Sequence, residues 1–512
     1  MHIFLYGPSG GGKSTVGKVL AHSLNLPFLD LDTEIETVIG RSISQYMAQQ
    51  GETAFRDMES SMLQEAVDGE EKVIALGGGA LLRDNNRMLS ETIGRVILLE
   101  ADLSTLVERL AGDENERPLL VGDLETKLSA LLEQRREHYD SFSLRVDTSQ
   151  SSEQVAWDIQ RLIGRYHPQS MGTGYDVIVR EGGLDQFGEL LAFRNLAGPV
   201  LAISDTNVAP HYLDRVLTSL NAAGYAANQL VVPAGEAHKN LETVASLWRG
   251  CLEAGLDRKS TIVALGGGVV GDMAGFVAAT FMRGCNWVAV PTTLLAMVDA
   301  SIGGKTGFDL PEGKNLVGAF CPPRLVLADP DVLSTLPERE LRAGLAEVVK
   351  HGIIADPELY ALCAEGWDAV NARLSEVVRC GMAVKLKMIE EDPYEQGIRA
   401  ALNLGHTIGH AVELVSGFSL LHGEAVAIGM VAEARLAERL AVAGSGTSEA
   451  LERVLTGLGL PIEIPKGLER DKLISAMKVD KKKKSGVVRF ALPVKIGEVR
   501  VGVEMTNLEE AI

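Results

Sequence analysis

The segment Gly7-Pro-Ser-Gly-Gly-Gly-Lys-Ser14 constrains the fold of this chain more than any other feature of its sequence. It follows the apolar run Ile3–Tyr6 and leads into a helical stretch that begins at Thr15. In the pattern G-x-x-x-x-G-K-S, glycine amides curl around a phosphate, the lysine neutralises the phosphate oxygens and the hydroxyl faces Mg²⁺. A buried strand, a phosphate-binding loop and a helix in this order predict the start of a parallel α/β sheet.

Length and charge limit the class of protein. A chain of 512 residues predicts several compact units. Its formal net charge of −20 excludes nucleic acid and anionic membranes as partners, because positively charged proteins bind those surfaces. The five cysteines form no C-x-x-C pair, and we find neither an export signal nor an apolar run long enough for a membrane span. Reduced thiols and a cytoplasmic location are therefore expected.

The first 165 residues alternate short apolar runs with longer amphipathic segments. The runs Ile3–Tyr6, Val73–Leu76 and Val96–Leu99 predict parallel strands connected through helices on both faces of the sheet. We expect residues 1–165 to form one α/β domain. The Pro, Ser and Gly residues that follow predict an exposed linker over residues 166–174.

In the remainder of the chain, the predicted secondary structure changes near residue 332. Before that point, five apolar runs predict a Rossmann-like, doubly wound α/β domain over residues 175–331: Val200–Ser204, Gln229–Val232, Thr261–Leu265, Trp287–Pro291 and Arg324–Ala328. After it, three stretches with helical spacing predict a mainly helical domain over residues 332–512: Glu338–Ile354, Glu376–Glu391 and Gly423–Ala441. Leu460–Pro465 and Val487–Pro493 are expected to add short extended pieces.

Charged residues after the phosphate loop indicate what the first domain binds. Asp30 and Asp32 close a short apolar strand, so both carboxylates are expected near the nucleotide phosphates. Four further motifs follow in order: Phe55-Arg56-x-x-Glu59, Gly77-Gly-Gly79, Arg117-Pro-Leu-Leu120 and Arg135 four residues before Tyr139. In order and spacing this set resembles the shikimate kinase family over residues 1–165.

The resemblance implies two groups of site residues in the first domain. It implies that ATP and Mg²⁺ are bound by Gly10, Gly11, Gly12, Lys13, Ser14, Thr15 and Asp30. It implies that shikimate is bound by Asp32, Arg56, Gly78, Gly79 and Arg135. Lys13 and Asp32 would act in catalysis, and Arg117 would lie in a lid that closes over ATP. An arginine pair suits a small carboxylate, because guanidinium groups bind carboxylates through two parallel hydrogen bonds.

Polar turns follow four predicted strands of the second half. The main one, Gly266-Gly-Gly268-Val-Val-Gly271-Asp272, joins an apolar strand to a helical stretch, as a pyrophosphate-binding turn does. The others carry Asp205 and Asn207, Glu236 and Lys239, and Thr292 and Thr293. Because parallel strands end at the same edge, these turns predict one dinucleotide crevice.

Imidazole and carboxylate groups of the helical part predict a metal centre. His406 and His410 lie four residues apart on one helical face, His422 follows shortly after, and Glu347 stands on a separate helix. Three nitrogen or oxygen ligands with one open position are typical of a catalytic zinc. Spacing alone leaves open which two histidines bind the metal.

Residues 175–500 resemble the 3-dehydroquinate synthase family. The motifs are Gly-Gly-Gly-x-x-Gly-Asp272, Asp299-x5-Lys305, Gly313-Lys-Asn315, Glu347-x-x-Lys350, Lys385, Arg399, Asn403-x-x-His406-x3-His410, His422 and Asp480-Lys-Lys. The resemblance implies zinc, or cobalt, on Glu347, His406 and His422, with His410 beside the substrate as a proton relay or a phosphate neighbour. It implies NAD on Asp205, Asn207, Glu236, Lys239, Gly268, Asp272, Thr292, Thr293, Lys305 and Lys314. It implies substrate and catalytic contacts from Arg283, Asp299, Lys305, Asn315, Lys350, Lys385, Arg399, Asn403, Lys481 and Lys482.

One departure from the family pattern is the lysine run after Asp480, which leaves open which lysine of 481–484 faces the substrate. Together the two resemblances predict an enzyme with two activities in aromatic biosynthesis and a homodimer through the synthase half. Three alternatives remain: another small-metabolite kinase, a metal-dependent polyol dehydrogenase, or a scaffold with a degenerate kinase. The cations between residues 305 and 399 disfavour the dehydrogenase, since a plain polyol carries no charge to pair with them.

Overall fold

The computed structural model describes residues 1–112, 123–480 and 487–512, and the chain folds into two compact units. The first unit spans Met1–His167 and the second spans Pro168–Ile512. The α/β part and the helical part of the second half thus belong to one unit, and the predicted border at residue 331 stays a prediction.

The first unit contains a parallel sheet of five strands in the order β2-β3-β1-β4-β5. The strands described in this unit are β1 (His2–Tyr6), β2 (Phe28–Asp30), β3 (Val73–Ala75), β4 (Gly94–Glu100), β5 (Arg145–Asp147) and β6 (Arg165–Tyr166). The helices described in it are α1 (Lys13–Ser23), α2 (Leu31–Ile39), α3 (Ile43–Ala66), α4 (Asp84–Ile93), α5 (Leu103–Ala111), α6 (Leu124–Gln134), α7 (Arg136–Asp140) and α8 (Ser152–Ile163).

Two hydrophobic clusters explain why β1 is apolar at every position. Alternate side chains of a strand point to opposite faces. Phe4 and Tyr6 pack in one cluster, and Ile3 and Leu5 pack in the other. A strand buried on both faces reads as a continuous apolar run, so the first strand of the sheet is confirmed as predicted.

The second unit contains a parallel sheet, two antiparallel hairpins and a large helical part. The strands described in it are β7 (Asp176–Val179), β8 (Val200–Asp205), β9 (Ala227–Val232), β10 (Thr261–Gly266), β11 (Asn286–Pro291), β12 (Lys305–Leu310), β13 (Gly313–Phe320), β14 (Leu325–Ala328), β15 (Val488–Lys495) and β16 (Glu498–Met505). The helices described in it are α9 (Phe187–Phe193), α10 (Ala209–Ala222), α11 (Leu241–Glu253), α12 (Gly268–Thr280), α13 (Glu338–Ala355), α14 (Pro357–Ala364), α15 (Trp367–Ala372), α16 (Leu374–Glu391), α17 (His406–Val415), α18 (His422–Arg439), α19 (Thr447–Gly457) and α20 (Arg470–Asp480).

Strand order places the polar turns of this unit together. The parallel strands run β7-β14-β11-β10-β8-β9, so the turns after β11, β10, β8 and β9 follow four neighbouring strands at one edge. The hairpins pair β12 with β13 and β15 with β16. The α/β fold class with a parallel kinase sheet, a Rossmann-like part and a helical part is confirmed.

Glycines allow α17 and α18 to pack closely. Gly405 precedes α17 with φ of 79°, and a Cβ at Gly405 would stand 2.5 Å from a side-chain carbon of Met430. A Cβ at Gly409 would stand 2.9 Å from the backbone oxygen of Ala425. This close approach fixes the spacing of the helices that carry His406, His410 and His422.

Two local expectations differ from the structure, and one element was not expected. Leu460–Pro465 forms no strand, although β15 covers the second predicted extended piece. The β12–β13 hairpin was not expected, because this glycine-rich segment has little apolar alternation. The predicted exposed linker is partly packed: Met171 is buried, and the backbone amides of Gln169 and Ser170 donate to Glu390. Within the described ranges, no helix has both the length and the apolar content to cross a membrane.

Candidate active sites

The glycine loop of the first unit forms a turn with a cation and a hydroxyl at its end. Gly10 and Gly12 both have φ of 81°, which L side chains rarely adopt. The Nζ atom of Lys13 donates to the backbone oxygens of Gly7 and Pro8, each at 2.9 Å. The Ser14 hydroxyl donates to Oδ2 of Asp30 at 2.5 Å. Lysine ammonium, hydroxyl and carboxylate thus lie together at the start of α1, as a nucleotide phosphate with Mg²⁺ requires.

Four charged side chains surround the turn Gly77–Gly79 after β3. A Cβ at Gly79 would stand 2.6 Å from a guanidinium nitrogen of Arg56. A Cβ at Gly77 would stand 2.8 Å from Oδ1 of Asp32 and 2.7 Å from Oε1 of Glu59. The turn and the predicted shikimate-binding groups Asp32 and Arg56 therefore form one cluster, with Glu59 beside them.

The carbonyl of Gly78 anchors the remaining guanidinium of this cluster. It accepts hydrogen bonds from Nη1 of Arg135 at 2.7 Å, from the Tyr139 hydroxyl at 3.2 Å and from the Tyr6 hydroxyl at 3.4 Å. Arg56 in turn pairs with Glu59 at 2.8 Å. Burial, together with the charge of Asp32, raises the pKa of Glu59 although Arg56 acts to lower it. The predicted lid residue Arg117 lies outside the described residues.

Residues of the predicted dinucleotide crevice meet around Lys239. Its Nζ atom lies 2.7 Å from Oδ2 of Asp272 on α12 and 2.6 Å from Oδ1 of Asn315 on β13. Gly268 begins α12, and a cleft lined by Gly266–Gly268, Asp272 and Lys305 opens beside it. Burial raises the pKa of Asp272 although Lys239 acts to lower it.

The other polar turns serve partly to shape their own backbone. Oδ1 of Asp205 accepts the amides of Asn207 at 2.8 Å and Val208 at 3.1 Å. Oγ1 of Thr293 accepts the amide of Ala296. By contrast, the hydroxyl of Thr292 is buried and has no hydrogen-bond partner among the described residues, so it is available to a ligand.

A metal-type cluster lies where α13, α17 and α18 meet. Oε1 of Glu347 is 3.6 Å from Nε2 of His406 and 3.8 Å from Nε2 of His422. Glu347 is fully buried; its Oε2 forms an ion pair with Lys350, and its Oε1 has no hydrogen-bond partner in the described chain. His410 joins the two histidines, with ligand atoms of all three rings within 4.8 Å of one another.

Hydrogen bonds at Nδ1 leave the opposite ring nitrogens facing the centre. Nδ1 of His406 lies 3.1 Å from the backbone oxygen of Leu404, and Nδ1 of His422 lies 3.2 Å from Oε2 of Glu413. An imidazole that donates from Nδ1 presents the lone pair of Nε2 to a metal. The donor set therefore fits a zinc-type ion on Glu347, His406 and His422.

Cations gather next to this cluster. Lys350 forms an ion pair with Glu347, and Lys385 donates to the backbone oxygen and Oδ1 of Asp299, each at 2.6 Å. Asp299 lies in the π-helical turn Ala296–Ala300, and despite its burial the Lys385 charge holds its pKa below the usual range. Arg399 is buried, and its Nη1 donates to the backbone oxygen of Pro393 at 2.6 Å.

Lys305 and Asn403 share one acidic partner that the sequence analysis missed. Nζ of Lys305 lies 2.5 Å from Oε2 of Glu395, and Nδ2 of Asn403 lies 3.4 Å from its Oε1. Glu395 itself has φ of 59°, an uncommon backbone conformation for a glutamate. This backbone conformation is visible only in the structure, and no sequence pattern indicated that Glu395 belongs to the site.

Two expectations about substrate binding stay predictions in this structure. Arg283 lies beyond the carboxyl end of α12, whereas the glycine turn begins that helix. A contact of Arg283 with the substrate therefore stays a prediction. Lys481 and Lys482 lie outside the described residues.

Comparison with known proteins assigns both units. Residues 9–164 match the family model of shikimate kinase. Residues 229–343 match the amino-terminal model of 3-dehydroquinate synthase, and residues 344–483 match its carboxyl-terminal model. The 3-dehydroquinate synthase of Nostoc punctiforme is 46% identical over 340 residues, which cover 65% of this chain and 94% of that protein.

The chain belongs to the shikimate kinase and 3-dehydroquinate synthase families.

Two solved structures resemble the synthase unit. A 2-deoxy-scyllo-inosose synthase complexed with carbaglucose-6-phosphate, NAD⁺ and Co²⁺ is 27% identical, with a TM-score of 0.61, and covers 67% of this chain and 96% of that chain. The 2-epi-5-epi-valiolone synthase of Streptomyces hygroscopicus, with NAD⁺ and Zn²⁺ bound, is 29% identical, with a TM-score of 0.59, over 66% of this chain and 94% of that chain. Both matches give the synthase unit the fold of these two synthases.

The synthase unit also contains a carboxylate that the sequence motifs did not include. Glu413 lies one helical turn after His410 on α17 and touches both Lys314 and His422. Its spacing from His410 places it on the same helical face, which was the available signal.

Proposed function

We propose that the first unit transfers the terminal phosphoryl group of ATP to shikimate. We propose that the second converts 3-deoxy-D-arabino-heptulosonate 7-phosphate to 3-dehydroquinate with release of phosphate. The observation that carries the proposal is the meeting of Glu347, His406 and His422 beside the buried cations Lys350, Lys385 and Arg399. A substrate with a phosphate and a carboxylate accounts for so many cations in a chain of net charge −20.

In the kinase unit, each charged group has a distinct role in the proposal. Lys13 binds the transferred phosphoryl group, while Ser14 and Asp30 hold the shell of Mg²⁺. Asp32 accepts the proton of the attacking hydroxyl beside the Gly77–Gly79 turn. Arg56 and Arg135 bind the carboxylate of shikimate, and Arg117 belongs to the lid.

In the synthase unit, NAD is proposed to lie at the glycine turn of α12 and zinc or cobalt at Glu347, His406 and His422. The fit rests on the Nε2 atoms that face Glu347 and on the buried Thr292 hydroxyl, and the NAD⁺, Co²⁺ and Zn²⁺ of the two similar synthases support it. When bound, NAD accepts and returns a hydride, and the metal polarises the reacting oxygen.

The chain's own residues hold the substrate through these steps. Lys350, Lys385 and Arg399 are proposed to bind its phosphate and carboxylate, and Asn403 and Asn315 to bind its hydroxyls. The ion pair of Lys385 with Asp299 fixes the ammonium before substrate arrives. His410 lies beside the metal cluster and is proposed to move the proton from carbon.

Assays of one purified chain test both halves of this proposal. Shikimate with ATP and Mg²⁺ should yield shikimate 3-phosphate, and the heptulosonate phosphate with NAD should yield inorganic phosphate and 3-dehydroquinate. Gluconate in place of shikimate should give no turnover, and activity with gluconate alone would contradict the kinase assignment.

Location and assembly are part of the same proposal. We propose that the chain acts in the cytoplasm and that the synthase unit forms a homodimer. Light scattering of the purified chain tests the second point: a mass of twice 54.8 kDa supports it, and a mass of 54.8 kDa contradicts it.

A further inference from the structure

One buried carboxylate joins the predicted dinucleotide crevice to the predicted metal centre. Oε1 of Glu413 lies 2.9 Å from Nζ of Lys314, and its Oε2 lies 3.2 Å from Nδ1 of His422. These groups come from three different elements: Glu413 from α17, Lys314 from β13 and His422 from α18. Glu413 is about nine-tenths buried, whereas the Lys314 side chain remains exposed at 37%.

Lys314 connects Glu413 to residues of the predicted dinucleotide crevice. Its Nζ atom also lies 3.5 Å from Oε1 of Glu236, in the turn after β9, and 4.4 Å from the centre of the Phe418 ring. The next residue, Asn315, contacts Lys239, which pairs with Asp272 on α12. Lys314 therefore stands at the border between the two sites, where an anionic phosphate of a dinucleotide is within reach of its ammonium.

We infer that Glu413 is a positioning residue that couples binding of the dinucleotide to binding of the metal ion. The inference rests on the proposed function of the synthase unit. With one oxygen Glu413 orients His422 so that Nε2 faces Glu347, and with the other it holds Lys314. When a phosphate draws the Lys314 ammonium away, the carboxylate accepts more strongly from His422 and makes that imidazole a better metal ligand.

The direction of the coupling follows from this charge arrangement. NAD should tighten metal binding, and by linkage the metal should tighten NAD binding by the same factor. Couplings of this kind are typically about fivefold or more. Loss of the carboxylate that supports a metal-bound histidine typically weakens metal affinity by about 10- to 100-fold.

Co²⁺ titration of the metal-free full chain, followed by visible absorption with and without saturating NAD, tests the coupling. In the unmodified chain NAD should lower the Co²⁺ dissociation constant by about fivefold or more. Glu413→Gln should weaken Co²⁺ binding about 10- to 100-fold and remove the NAD effect. Lys314→Met should also remove the NAD effect but leave Co²⁺ affinity in the absence of NAD at least as strong.

Two controls separate positioning from structural damage. Glu449→Gln removes an exposed carboxylate on α19 and should change neither affinity. Equal thermal unfolding of the variants shows that the fold is retained, and Lys314→Met carries the test alone if Glu413→Gln does not fold. An NAD effect that survives in Lys314→Met or in folded Glu413→Gln overturns the inference. Failure of the unmodified chain to bind Co²⁺ or NAD overturns the proposed function as well.

Discussion

Nε2 of His406 lies 3.6 Å from Oε1 of Glu347, although 59 positions of sequence separate the two residues (406 − 347). The contact joins α17 to α13, and His422 adds a second ring nitrogen at 3.8 Å from the same oxygen. A fully buried carboxylate is costly unless a cation compensates it. Lys350 supplies part of that compensation, and a metal ion would supply the rest.

Replacement of a metal ligand should abolish the activity of the synthase unit only. His422→Ala removes one of three proposed ligands, so the bound zinc should fall to a small fraction of one per chain and phosphate release should stop. Phosphorylation of shikimate should continue at the unmodified rate, because the kinase site lies in the other unit. Metal analysis and both assays check this, and full zinc content with normal synthase turnover would reject the ligand assignment.

The converse variant tests the phosphate loop. Lys13→Ala removes the ammonium that folds over the backbone oxygens of Gly7 and Pro8, so phosphoryl transfer should become undetectable. The synthase rate should stay near that of the unmodified chain. A parallel loss of both rates would show that the two units are not independent.

Arg135 should contribute more to the binding of shikimate than its neighbour Arg136 does. Loss of a charge-assisted contact costs about 1.5–3 kcal/mol, so Arg135→Ala should raise the KM for shikimate about tenfold or more without changing that for ATP. Arg136 is exposed and pairs with Glu133, which makes Arg136→Ala a matched control. Steady-state kinetics of both variants measure the two KM values. A raised KM for shikimate in Arg136→Ala but not in Arg135→Ala would assign the carboxylate contact to Arg136.

The buried pair Glu71–Arg165 should make the first unit less stable in acid. Burial favours the neutral Glu71 carboxyl, but the charges of Arg165 and the Met1 ammonium outweigh burial and hold its pKa below the ordinary value of 4.5. A lowered folded-state pKa means that the stabilisation is complete above pH 4.5 and is lost as the pH falls through the folded-state value.

Urea unfolding of residues 1–167 measures this effect. At neutral pH, Glu71→Gln should unfold more easily by about 3 kcal/mol, because removal of one partner leaves Arg165 buried without its counter-charge. The difference between the two proteins should shrink as the pH falls below 4.5. A difference that stays constant down to pH 3 would contradict the assignment.

Much of the fold could be predicted because its signals are local. The strand before Gly7, the glycine turn before α12 and the helical spacing of α13 each depend on a few consecutive residues. The β12–β13 hairpin lacked such a signal. Glu395 and Glu413 were missed since their partners lie on other elements.

The residues of the metal site were predicted less completely than the fold, because some of their contacts join elements that are distant in sequence. Residue types and spacing identified Glu347, His406 and His422, yet the choice between His410 and the other histidines needed a family resemblance. The Nδ1 contacts of His406 and His422 exist only once α17 and α18 are packed. Residues that hydrogen-bond to a metal ligand are often distant from it in sequence, so no sequence periodicity indicates them.

The fate of the hydride tests the central claim, that the second unit is a cyclase which regenerates its NAD. The measurement uses the heptulosonate phosphate in excess over a sub-stoichiometric amount of NAD, and follows inorganic phosphate and NADH absorbance together. We predict many turnovers of phosphate release for each NAD, with NADH absorbance near its baseline. One NADH formed for each substrate consumed, without phosphate release, would contradict the account and favour a polyol dehydrogenase.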